Sequence, residues 1–134
     1  MKIRVVSTKD EIDNLNGNDE IIHMAFRPSN TDVFSIVSHC PNLKALHLSK
    51  SYKRTLSESS KMFLDMQGID LLEGDVWGHR KDVSEYSEVS EHVYNKIDEL
   101  NDEGYSKNEI LEQMKNETNL NPDFINFLIE QKTA

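Results

Sequence analysis

The sequence predicts an α/β fold: a short four-stranded parallel sheet built from βα units, followed by an acidic three-helix C-terminal subdomain. Three observations carry this. Short β-branched or aliphatic runs alternate with stretches of helical spacing as far as about Asp82, and only helical spacing follows. No hairpin signal separates one run from the next, so neighbouring strands must be joined by crossovers and lie parallel. The charge divides at the same place, with 12 acidic and 11 basic residues in 1–82 against 12 and 4 in 83–134, so the C-terminal part holds almost all of the formal charge of −9. We therefore expect an α/β domain over 1–82 and an acidic helical subdomain over 83–134, joined at about Lys81 to Ser87.

The first strand is Ile3 to Val6, followed by a short helix from Lys9 to Leu15 with Ser7 or Thr8 as its cap. Ile21 to Phe26 forms the second strand. A helix from about Asp32 to His39 stops before Pro41, Lys44 to Leu48 is the third strand, a helix from about Ser57 to Met66 closes at Gly68, and Ile69 to Glu73 is the fourth strand. Beyond the junction, Val89, Val93, Ile97 and Leu100 form one apolar stripe on a helix from about Ser87 to Asp102, which Gly104 ends. Ser106 with Glu109 is a capping box opening a second helix, and Asn121-Pro122 opens a third in which Phe124, Ile125, Phe127, Leu128 and Ile129 are apolar on nearly every side. A helix that apolar must be buried.

Strand alternation collects Ile3, Val5, Ile22, Met24, Phe26, Leu46, Leu48, Ile69 and Leu71 on a face that packs under the helices. The opposite face takes Arg4, Val6, Ile21, His23, Ala25, Ala45, His47, Asp70 and Leu72, too polar for a sheet covered by apolar helices on both sides, so an amphipathic element or water should meet it. His23 to Pro28 and His47 to Tyr52 stand 24 residues apart in matching positions, a period in the range of leucine-rich repeats, and CPNLKALHLSKS has Leu43, Leu46 and Leu48 at the spacing of one. Any short βα unit looks much the same, and a compact four-stranded layer is preferred to a leucine-rich arc.

A chain of 134 residues makes one domain, or one with a small appendage. Cys40 is the single cysteine, which excludes an internal disulfide and any cysteine-rich metal site. The apolar runs are far short of the roughly 20 residues that cross a bilayer, and the start MKIRVVSTKDE carries no signal-peptide core, so we expect a cytoplasmic protein without a membrane partner. GxxxxGK, GxGxxG, HExxH and GxSxG are all absent, and no cofactor is expected.

Parallel sheets bind ligands beyond the carboxyl ends of their strands, and here those ends are followed by polar and basic segments. Arg27, Lys53, Arg54, His79 and Arg80 are the candidate anion-binding residues; the anion is a phosphorylated or carboxylated small molecule. Equally, these cations could pair with the acidic tail. His79 is the one candidate proton carrier, because an imidazole titrates near neutrality. His23 and His47 would come side by side on adjacent strands, but two histidines without a third ligand nearby make a weak metal site, and they read first as polar residues under a covering element. Cys40 follows His39 at a helix end, where adjacent side chains seldom converge as a nucleophile pair. The loop GDVWGHRKD, with two glycines, a tryptophan and a basic run, is the segment of least ordinary composition.

SKNEILEQM and NPDFINFLI stand where the two helices of a helix-turn-helix would, but a helix that reads DNA needs cations towards phosphate, and this part of the chain is strongly acidic. The expectation is no nucleic-acid partner.

The strings AFRPSN, SYKRT and MQGIDLLEGDVWGHRKD resemble a family of small uncharacterised proteins from methanogenic archaea, over roughly Lys2 to Tyr86. The resemblance implies an archaeal cytoplasmic origin and carries over no catalytic residue. With no catalytic constellation above background, we expect a non-enzymatic interaction or regulatory module that self-associates or binds a protein partner. The alternative is a small-molecule enzyme or sensor at the strand ends.

Overall fold

The structure is a computed structural model that describes residues 2–15, 17–74, 86–88, 91–118 and 120–133. The chain divides into two compact units, Lys2–Glu88 and Val89–Ala134.

In the first unit, strands β1 (Lys2–Val6), β2 (Ile21–Met24), β3 (Ala45–Leu48) and β4 (Asp70–Glu73) pair in parallel in the order β4-β3-β2-β1. A fifth strand, β5 (Tyr86–Glu88), pairs antiparallel with β1 at the far edge. The connections are a 3-10 helix (Lys9–Asn14), α1 (Asn30–His39), and the pair α2 (Lys50–Thr55) and α3 (Glu58–Met66). Because the strands run in unbroken sequence order, successive right-handed crossovers fall on one face. Ile12, Val33, Ile36 and Leu64 from these helices meet Val6, Ile22, Met24, Leu46 and Leu48 in a single buried cluster.

Local chemistry sets the helix boundaries. Ser29 and Asp32 make a reciprocal capping box on α1, and Thr8 with Glu11 makes the same arrangement on the 3-10 helix. Ser49 caps α2 and Ser57 caps α3, each side chain accepting a backbone N–H from three residues on. Between them Leu56 is buried in the cluster and stops α2 after six residues. Gly68, at φ +72°, closes α3: its N–H donates to Asp65 and that of Ile69 to Leu64, a left-handed turn that a β-carbon would strain.

One expectation needs correction. Register pairs Arg4 with Ile22, and Val6 with Met24, so Arg4 and Val6 lie on the helix side and Ile3 and Val5 lie opposite with Ile21 and His23. Four consecutive buried residues in β1 give period-2 alternation no phase, and the charge of Arg4 misleads as to its direction. On the opposite face Ile21, His23, Ala45 and His47 are buried, and Asp70 of β4 is exposed.

The second unit holds α4 (Glu91–Asp102), α5 (Lys107–Glu117) and α6 (Pro122–Thr133). Gly104, at φ +89°, turns the chain after α4, with the N–H of Tyr105 reaching back to Leu100 and that of Gly104 to Asn101. Ser106 and Glu109 cap α5 reciprocally. Val93, Ile97 and Leu100 of α4, Ile110 and Met114 of α5, and Phe124, Ile125, Phe127, Leu128 and Ile129 of α6 are buried. No helix among the described residues is long and apolar enough to cross a membrane.

Candidate functional site

The turn from β3 into α2 is where sequence and fold concentrate positive charge. α2 reads KSYKRT, so Lys50, Lys53 and Arg54 fall at spacings of three and four and share one side of the helix. Lys61 stands one turn into α3. These four cations, with Leu71 and Glu73 of β4, line an open depression of about 400 Å³ at the carboxyl end of the sheet. Lys61 also lies 3.5 Å from Glu58 on its own helix. Of the five residues expected to bind an anion, Lys53 and Arg54 are in this depression. Arg27 follows β2 and lies over the ring of Tyr52, 5.6 Å from its centroid, an arrangement in which the ring face attracts the guanidinium. His79 and Arg80 lie outside the described residues, as does the rest of 75–82. Lys50 and Lys61 were not among the anion-binding candidates: the six residues of α2 are too few to read as a helix, which hid the side that Lys50 shares with Lys53 and Arg54, and Lys61 lies on α3, away from the strand ends in sequence. The signal for Lys50 was available in the spacing KSYKR.

On the other face of the sheet, register sets His23 beside His47. The rings are 4.9 Å apart between centroids, and the two Nδ1 atoms are 2.7 Å apart. An Nδ1–H of one ring donates to the Nδ1 of the other. Both rings are buried. Among the described residues no three His, Cys, Asp or Glu stand together as a metal site.

Cys40 caps the end of α1 inside the core, whereas the exposed His39 ring bonds the Ser35 carbonyl at 2.7 Å. Burial, then the Asp19 carboxylate, pushes the Cys40 thiol up to about 11, with Arg4 pulling weakly the other way. The thiolate is therefore disfavoured in the fold, and stability that is full below the unfolded value near 9.0 is lost as pH rises through about 11. We expect 5,5′-dithiobis(2-nitrobenzoic acid) at pH 8 to leave the folded chain unmodified and to label one thiol per chain in denaturant. Prompt labelling of the native chain would show that Cys40 is not shut in the core.

In the second unit, α5 and α6 are separated by residues 118–121, with Asn121 Oδ1 accepting the N–H of Asp123 at 2.9 Å to start α6. Lys107, at the start of α5, bonds Glu130 near the end of α6 at 2.7 Å, so one of its few cations is already engaged. The exposed side of α6 carries Pro122, Glu130 and Gln131.

Comparison with protein families matches residues 2–85 to the N-terminal domain of a family of unknown function (DUF1699), and residues 92–130 to the C-terminal helix-turn-helix domain of the same family. The chain belongs to the DUF1699 family. The match supplies no source organism and no activity. No curated protein and no solved structure matches the chain. A helix-turn-helix is a nucleic-acid-binding architecture, so the match to 92–130 overturns the expectation of no nucleic-acid partner. That expectation weighed net charge against fold. Net charge acts at long range and is screened beyond about 8 Å at physiological salt, whereas the helix arrangement sets what can enter a groove.

Proposed function

We propose that this DUF1699 protein is a non-enzymatic regulator that binds nucleic acid through α4–α6. The observation that carries the reading is the helix-turn-helix match over all three helices, with four residues between α5 and α6. The matched stretch has nine acidic and three basic residues, so few phosphates can be neutralised there. Affinity should then depend only shallowly on salt, with log K falling against log salt by a slope of about −3 or less in magnitude. Fluorescence anisotropy with labelled duplexes, at salt from about 50 to 200 mM, is expected to show saturable binding that Gln131→Glu weakens by adding a carboxylate to the exposed side of α6. Absence of binding to duplex DNA, single-stranded DNA and RNA at the lowest salt would remove the reading.

A second reading has its own support in the cationic depression on α2 and α3, which fits a phosphorylated or carboxylated small molecule better than it fits a long polyanion.

A further inference from the structure

We propose that the depression between α2, α3 and β4 is an effector site for a sugar phosphate, ribonucleotides included. The word effector rests on the nucleic-acid reading above; the site itself does not.

Charge placement is the first argument. Residues 1–82 are nearly neutral, with 12 acidic and 11 basic residues, so the unit has no broad positive field to hold a polyanion. Four of its cations nevertheless converge on one concavity. α2 has no carboxylate to offset its own, and like charges at helical spacing repel. Lys53 and Arg54 sit in the last turn, where the helix dipole favours cations, but Lys50 sits in the first turn, where the dipole opposes one. Helix stability therefore does not account for the cluster. A dianionic phosphate does, since guanidinium and ammonium groups together supply charge and several N–H donors to its oxygens.

The other two lining residues narrow the class. Glu73 repels phosphate, but a carboxylate has acceptor sites enough to take hydroxyl protons as well as a neighbouring cation. Leu71 offers an apolar patch to the C–H face of a sugar ring. Phosphate at one side and hydroxyls at the other is the chemistry of a sugar phosphate. A volume of about 400 Å³ lies within the range of small-ligand sites, about 300–1,000 Å³.

The test is calorimetric titration of the full chain with ribose 5-phosphate, AMP and inorganic phosphate, with duplex anisotropy run in parallel. Ribose 5-phosphate or AMP is expected to bind with a Kd below about 1 mM, and more tightly than inorganic phosphate. Lys53→Gln with Arg54→Gln, which changes only surface side chains and should leave the circular dichroism spectrum unaltered, is expected to weaken binding at least about tenfold. Glu73→Gln is expected to keep phosphate binding and to narrow the advantage of ribose 5-phosphate over it. If neither organic phosphate binds at about 10 mM, or the double variant binds both as well as the native chain does, the proposal is overturned. Loss of duplex binding in the double variant, with no sugar phosphate bound by the native chain, would make the depression a nucleic-acid backbone contact and overturn it too. Sugar phosphate bound without any duplex binding supports the site and refutes only the regulator reading.

Discussion

Phe127→Ala is expected to melt helices α4–α6. Phe127 is 2% exposed, in a helix whose side chains from Phe124 to Ile129 are buried except for half-buried Asn126, and its ring lies 6.2 Å from that of Phe124. Truncating a buried phenylalanine costs about 3–5 kcal/mol, through lost transfer energy and the cavity left behind. A unit as small as Val89–Ala134 has a total stability of about that size. Far-ultraviolet circular dichroism should lose helical signal, and the amides of α4–α6 should lose protection from hydrogen exchange. A variant with native exchange rates there would show that α6 is held by something other than its phenylalanines. Surface pairs are no substitute: the exposed Lys107–Glu130 contact contributes under about 1 kcal/mol.

Leu46→Ala is the corresponding substitution in the sheet. Leu46 is fully buried at the centre of β3, between Ile22 on one side and Leu71 on the other, with Val33, Ile36 and Leu64 in the same cluster. We expect a loss of about 2–5 kcal/mol, seen as a lower urea midpoint with little change in slope. Leu46→Ile conserves volume and suits a parallel strand, and should cost less than about 1.5 kcal/mol. Equal losses from the two substitutions would mean that the core does not pack around this side chain as described.

The features that could be read in the sequence are those set by short-range chemistry. Thr8 and Ser106 stand at the N-caps of the helices they introduce, Gly68 and Gly104 end theirs, and the four parallel strands follow from short apolar runs separated by helical stretches. What escaped has a physical reason in each case. β5 is three residues, Tyr86–Glu88, with no alternation to show, and owes its conformation to the free edge of β1. α2 is six residues, too short to form alone, and is held by Ser49 at one end and the burial of Leu56 at the other. Its absence from the sequence reading hid the shared face of Lys50, Lys53 and Arg54, so the candidate site was half legible. The helix-turn-helix was visible as two helices of suitable spacing, and was set aside because charge was allowed to decide a question of shape.

The bond between His23 and His47 acts as a lock on strand alignment. The residues flanking it in β2 and β3 are nearly all aliphatic, so apolar packing alone discriminates poorly between neighbouring alignments. Sliding one strand by a single position turns one imidazole to the helix side, among Ile22, Met24 and Leu46. Sliding by two sets it against Ala45 or Ile21, so that each alternative buries two ring nitrogens away from each other. An unpaired buried polar group costs about 1–3 kcal/mol. One polar contact thus makes the native alignment distinct from its nearest competitors at the middle of a sheet that its hydrophobic residues would let slip.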